Sequence, residues 1–378
     1  MANVVVASAG TTGLPEFAGL TWIQLQYLLG LQKLGIESFW VDCLGPIDPF
    51  RHPHSLEYLI DRFHHTARDF GLQDRYCVVY NGGDRYFGMT EKQLAQLASE
   101  TDLLINISGY LPPESPLMRV PRRAYIDIDP GFTQIWAHDI DMALERHNFF
   151  FTVGQNVGRP EFKIPTLGID WQTILPPVVL NLWPAHIDER CQRFSTIADW
   201  RGSQEAAFQG EYYGGKRDEF ARILRVPSET KQRMEIALCI GQYDHEDLGL
   251  LSQHGWHVRD PYSHAGDPHS YREFIQYSRA EFSVAKTGYV KSNSGWISDR
   301  TACYLASGKP ALVQSTGFEP RLPTAKGLLT FRTFEEAVAG IDVINSDYLS
   351  HCHAARQIAE ERFNSDIVLS SVIERVGL

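Results

Sequence analysis

Several things are missing from this sequence. The six cysteines (Cys43, Cys77, Cys191, Cys239, Cys303, Cys352) are scattered through 378 residues without a CxxC pair. That excludes the common zinc frameworks and fits a reducing cytoplasm. No apolar run is long enough to span a bilayer, and the opening MANVVVASAG has no charged leader. The expectation is a soluble, cytoplasmic chain without a signal peptide, with peripheral docking on a membrane surface left open. Positive charge is in deficit: 35 Lys and Arg against 46 Asp and Glu leave a net charge of -11. Such a balance argues against a nucleic-acid backbone as partner and predicts no nucleic-acid binding. The Gly-rich turn at residues 9–13 is not GxGxxG, which weighs against a dinucleotide oxidoreductase. No Ser-His-Asp order or His-rich metal spacing stands out, so neither a metal nor a cofactor is expected.

What is present is an α/β rhythm. The run 4–7 is a β-branched strand, followed by the Gly turn and by a broad-faced helix containing Trp22, Leu25, Leu28, Leu29 and Leu31. Gly35 caps that helix, and 38–43 is the next strand. Further strands are predicted at 76–80, 102–108, 123–127 and 148–153, each ending in a loop rich in Gly, Pro, Asn or Asp. A stretch rich in Pro and Trp, 171–184, reads as a connector, after which strands at 194–199, 206–209, 234–240, 256–259, 281–285, 310–314 and 327–331 restart the pattern. The end of the chain, from 333 onward, is helical. The predicted fold class is α/β: two facing Rossmann-like, doubly wound domains with a cleft between them. The expected divisions are 1–172 (acceptor side), 173–184 (connector), 185–350 (donor side) and 351–378, whose helices pack back on the first domain.

Residues 281–314 carry the strongest chemical signal. A buried strand, a polar loop, a helix opening at Ser298-Asp299-Arg300-Thr301 and a second strand offer backbone N–H groups and a positive dipole end to an anion. Lys286 ends an apolar strand, an odd place for a charge unless an anion or carboxylate meets it. Arg300 suits a diphosphate clamp, Ser298 and Thr301 offer hydroxyls, and Asp299 either caps the helix or holds a ribose. A helix that starts just after Gly214-Gly215 puts Lys216 where it can reach a phosphate as a point charge.

The run SGWISDRTACYLASGKPALVQ resembles glycosyltransferases of the GT-B fold, with ACYLASGKPAL similar to the EAMAxGxPVV segment of the retaining families. WRGSQEAAFQGEYYGGKRDEF, AEFSVAKTGYV and SGWISDR are more specifically similar to bacterial exopolysaccharide and heterocyst-envelope (HepE-like) glycosyltransferases. The resemblance implies a hexosyltransferase of polysaccharide synthesis, metal-independent and retaining. Its partners would be a UDP-sugar donor such as UDP-glucose and a glycan or lipid-linked acceptor. Cys303 stands where that pattern has its second Glu, which commonly binds the donor ribose, so this role passes to Asp299 or is lost. The resemblance also places the first Gly loop, with Gly13, against the donor phosphate or the acceptor.

The remaining candidates are individually weaker. Glu16, beyond the Gly loop, is a base or sugar-hydroxyl ligand, or simply a carboxylate favoured by a helix dipole. Asp127-Ile128-Asp129 spells a DxD motif but reads more simply as a strand end feeding a turn. Asp129 and His138 remain candidate acceptor-site or catalytic groups, and Tyr262 a candidate neighbour of the uracil. Two rivals stay open: a nucleotide-sugar epimerase on the same scaffold, and a non-catalytic nucleotide- or glycan-binding scaffold.

Overall fold

The computed structural model describes residues 2–48, 52–202 and 205–378. Ser203 and Gln204, part of the WRGSQ motif, lie outside the described residues. The first half forms one sheet from β1 (Asn3–Ala9), β2 (Glu37–Leu44), β3 (Tyr76–Tyr80), β4 (Arg85–Phe87), β5 (Leu103–Ile107), β6 (Arg122–Asp127), β7 (Phe149–Thr152) and β8 (Gln172–Thr173). The order is β4-β3-β2-β1-β5-β6-β7-β8, parallel throughout except for the β3–β4 pair. The second half supplies β9 (Arg193–Asp199), a small hairpin of β10 (Ala206–Phe208) and β11 (Glu211–Tyr213), then β12 (Arg233–Cys239), β13 (His257–Arg259), β14 (Ala280–Ser283), β15 (Ala311–Gln314) and β16 (Leu328–Phe331). Its six-stranded sheet runs β13-β12-β9-β14-β15-β16, all parallel.

In each sheet the strand order reverses once, beside β1 in the first and beside β9 in the second. Doubly wound sheets bind ligands in the crevice outside the carboxyl ends of the strands at such a point. The loops after β1, β9 and β14 are therefore the places to look for a site.

The loop after β1 is shaped from within. Buried Asp42 on β2 accepts from the Thr12 N–H at 2.8 Å and the Ser8 hydroxyl at 3.2 Å, while Gln24 Nε2 donates to Thr11 Oγ1 at 2.6 Å. Burial pushes the Asp42 carboxyl up to about 6, even against these hydrogen bonds. The helix that follows, Ala18–Lys33, buries Trp22, Leu25, Leu28 and Leu31. On its other side Gly30 leaves room for the last helix, Ser365–Val376: a Cβ at 30 would lie 2.5 Å from Leu369.

That last helix returns to the first sheet's lobe. Lys33 pairs with Asp366 at 2.7 Å, and Arg122 donates to the carbonyls of Val376 and Gly377. The two chain crossings between the lobes also touch, because Val178 N–H donates to Phe363 O and Ser365 N–H to Val178 O.

The structure also differs from the sequence expectations in places. The helix Leu56–Asp69 and the strand β4 were not foreseen, and the polar loop after β14 contains a short helix, Thr287–Ser292. No helix among the described residues is long and apolar enough to cross a membrane.

Candidate active site

A cleft of about 310 Å³ opens between the two lobes. One wall is the loop after β1 and the start of the first helix, with Leu14, Glu16, Phe17 and Gly19. The opposite wall comes from the carboxyl ends of β9, β12 and β14: Asp199, Arg201, Lys216, Cys239, Tyr262, Lys286 and the Ser298-Asp299-Arg300 helix start. Six residues chosen from sequence therefore meet on the second wall, 216, 262, 286, 298, 299 and 300, and Glu16 faces them.

Lys216 is fixed by glycine chemistry. The Gly214 and Gly215 carbonyls accept from the N–H groups of Gly288 and Thr287, and a Cβ on Gly215 would lie 1.7 Å from the Arg201 carbonyl oxygen. Only glycine passes there. Lys216 follows, 7 % exposed, with no carboxylate within ion-pair distance among the described residues. Burial, then the charges of Arg300 and Lys286, pulls its ammonium well below the usual lysine range. A buried amine beside Arg300 and Lys286, only partly offset by Glu281 and Asp199 and open to a cleft, favours an anionic ligand.

Arg300 requires a correction. The diphosphate clamp expected of it conflicts with its bonding. Nε donates to Glu281 Oε1 at 2.8 Å, and the two terminal nitrogens donate to Ile197 O and Ser283 Oγ, each at 2.6 Å. The guanidinium is thus engaged inside the lobe, and burial, which alone would lower its basicity, is outweighed chiefly by Glu281. It reaches the cleft as a fixed charge, not as a free fork.

Ser298 caps the helix Asp299–Ala306, its Oγ accepting from Arg300 N–H at 3.2 Å. Asp299 borders the cleft, and burial pushes its carboxyl up to about 6 against the pull of Arg300. A carboxyl raised on folding holds its proton longer in the native state than in the unfolded chain. Its cost to stability is therefore absent near pH 4, grows as pH rises through about 6, and is complete above that. Asp299→Asn is expected to gain about 1–3 kcal/mol over the parent at pH 7–8 and nothing near pH 4, read by denaturant unfolding at both pH values. Equal gains at both would disprove the assignment.

Thr301 is buried and faces a separate small cavity. Cys303 points away from the cleft too. Its Sγ lies 3.8 Å from Gln26 Nε2, in a cavity of about 20 Å³ against the first lobe. Residue 303 thus faces away from the cleft, whereas Asp299 lines it.

The first wall sorts the proposed catalytic groups. Glu16 Oε1 is 2.6 Å from His54 Nε2, and His52 Nε2 lies 3.1 Å from the Gly13 carbonyl. Gly13 thus helps anchor the loop and does not itself line the cleft. Asp129 reaches across the lobes: Lys286 Nζ meets Oδ1 at 3.1 Å, and the Tyr289 hydroxyl donates to the same oxygen. Asp127 of the DxD sequence is wholly buried and accepts from Thr133, Gln134 and Thr152. It is structural, with no opening to a metal. His138 is misplaced by the sequence reading: it lies exposed at the surface, stacked on Phe208 at 5.6 Å, outside the cleft.

Tyr262 lies over Cys239, hydroxyl to Sγ 3.4 Å, with its ring edge-on to Phe17 of the other wall at 6.2 Å. Arg201, Asp199, Cys239 and His54 were missed in sequence. For the first two the signal was there, since DWRG follows a strand directly; for His54 nothing local marks its reach to Glu16.

No family model and no curated protein matches the chain in sequence. Solved structures do match in shape. An α-glucosyltransferase (AGT) in complex with UDP superposes over the full length of both chains with TM-score 0.64 and 11 % identity. HepE from Anabaena, in complex with UDP and glucose, matches at TM-score 0.56 and 10 % identity over 100 % of this chain and 99 % of its own. AviGT4, a glycosyltransferase of avilamycin A biosynthesis, gives 0.56 and 12 % over 100 % and 97 %.

The fold is GT-B.

Within this GT-B frame one expectation falls. The AGT structures include one with UDP and a 13-mer DNA, at TM-score 0.63 over both whole chains. The exclusion of nucleic acid drawn from net charge is therefore withdrawn. A total of -11 averages the entire surface, whereas a bound strand samples only the local field of the surface it touches.

Proposed function

We propose that this GT-B protein is a hexosyltransferase that takes its sugar from a nucleoside-diphosphate donor, UDP-glucose or a close relative. The observation that carries the reading is Lys216: a buried ammonium with no carboxylate at ion-pair distance among the described residues, at the strand ends of the second lobe, facing a cleft large enough for a sugar nucleotide. The diphosphate sits against Lys216 and the helix start at Ser298, with Lys286 and Arg300 adding charge. Asp299 takes the ribose hydroxyls, and Tyr262 borders the base.

As the bond to the sugar breaks, negative charge grows on the leaving diphosphate. Fixed cations and a helix N-terminus stabilise it without reorganisation. These groups do the work that a divalent ion does elsewhere, so turnover without added magnesium is expected to equal turnover with it. We favour retention, with the departing phosphate oxygen taking the proton of the acceptor hydroxyl on the same face. Of the three candidate bases only Glu16 lines the cleft, and its link to His54 suits a sugar-orienting role. The acceptor favoured by the HepE likeness is a glycan or lipid-linked sugar of polysaccharide synthesis. The DNA-bound AGT structures favour a second reading, a hydroxyl-bearing base in DNA.

The test is incubation with UDP- and GDP-sugars, alone and with each acceptor class. Slow UDP release by hydrolysis, accelerated by an acceptor, is expected. A new UDP-sugar instead would mean an epimerase, binding without turnover a scaffold, and no thermal shift with any donor would end the donor assignment.

A further inference from the structure

Away from the cleft, the chain entering β9 carries His186, Asp188 and Cys191 within six residues. One ligand atom from each, a ring nitrogen, a carboxylate oxygen and the thiol sulfur, lies within 4.8 Å of the others. We propose that this trio is a site for a divalent transition ion of the zinc type.

Three further observations point the same way. His186 Nε2 is buried and accepts or donates no hydrogen bond among the described residues. The backbone around the trio is held: His186 N–H donates to Ser307 O at 2.9 Å, and Cys191 N–H to Asp188 O at 3.1 Å. Cys191 is 7 % exposed, and the fully buried Lys309 places its Nζ 3.8 Å from the sulfur. Among the described residues no carboxylate lies at ion-pair distance from Lys309, so its ammonium is free to donate to a metal-bound thiolate as an outer partner that orients the ligand.

The geometry needs only a small adjustment. Ligand atoms around tetrahedral zinc are about 3.5 Å apart, given bonds of about 2.0–2.3 Å. The three atoms already lie within 4.8 Å of one another, so the shifts required are on the order of 1 Å. The competitor is Arg190, whose fork holds Asp188 at 2.8–3.1 Å with 91 % of its side chain exposed. A solvent-screened pair of this kind is weak against a metal–ligand bond. The mixture of one imidazole, one carboxylate and one thiolate selects a borderline ion over calcium or magnesium. With three protein ligands the fourth position goes to solvent.

The location indicates the consequence. Ala185 and Ile187 pack on Gly308, just past the end of the helix Asp299–Ala306 whose start faces the cleft. A metal here would fasten the segment entering β9 to the far end of the helix Asp299–Ala306, away from the cleft.

The experiment is titration of metal-stripped full-length protein with cobalt(II), then zinc(II). One equivalent of cobalt is expected to raise a thiolate charge-transfer band that zinc abolishes, and zinc is expected to raise the melting temperature. Cys191→Ser should lose the band, and His186→Ala should weaken the dissociation constant at least about tenfold. Cys43→Ser, in the other lobe, should behave as the parent. The proposal is overturned if no band appears, or if the band survives in Cys191→Ser.

Discussion

Lys216→Met is expected to weaken UDP-glucose binding by about 10- to 150-fold, the effect of losing a charge-assisted hydrogen bond of about 1.5–3 kcal/mol. The same change should leave the protein at least as stable as before. In the free protein the ammonium is buried beside Arg300 and Lys286, which disfavours its charged form. A methionine of similar length removes that cost and keeps the packing. Loss of binding together with retained stability separates a ligand-facing charge from a structural one. The pH dependence adds a second readout. An arriving diphosphate restores the lysine's basicity, so binding takes up a proton wherever the free ammonium has begun to titrate, and affinity should fall as pH rises through that range. Calorimetry with UDP-glucose in buffers of differing ionisation heat measures the uptake. Undiminished affinity in the methionine variant would sink the assignment.

Arg300→Ala should behave in the opposite way, as a failure of folding before a failure of binding. It leaves Glu281, fully buried and already with one oxygen lacking a hydrogen bond, without its cation. Breaking a buried pair from one side costs about 3–5 kcal/mol. The accompanying loss of partners for Ile197 O and Ser283 Oγ adds to it. Replacing both members, Arg300→Met with Glu281→Met, should recover most of the loss, since the uncompensated charge is gone. Denaturant titration of the single and double variants checks this. A single variant as stable as the parent would show that the guanidinium is not anchored on Glu281.

The pair Lys216 and Arg300 also shows what the sequence could and could not reveal. Gly-Gly-Lys before a helix is a local pattern with a local meaning, and the structure places that lysine in the cleft. Arg300 carried an equally good local pattern. Its partner, however, sits on a strand 19 residues earlier, and which face of a strand meets which face of a helix is settled only by tertiary packing. Asp129 and Lys286 are 157 residues apart and meet only because two lobes do.

The alternation of strands and helices was legible over most of the chain because each element has its own period. The helix Leu56–Asp69 shows it as well, burying Leu59, Phe63 and Ala67 at intervals of four. In the sequence that stripe is obscured by His64 and His65 and by the prolines at 46, 49 and 53. His138 failed for the reverse reason, since a suitable side chain in a suitable loop says nothing of which way the loop turns.

The place where residues 178 and 363–365 bond to each other is a matter of mechanics as well as topology. Bonded side by side, the two crossings gather the covalent links between the lobes at one place. A relative movement of the lobes pivots there and separates them most at the part of the cleft farthest from it.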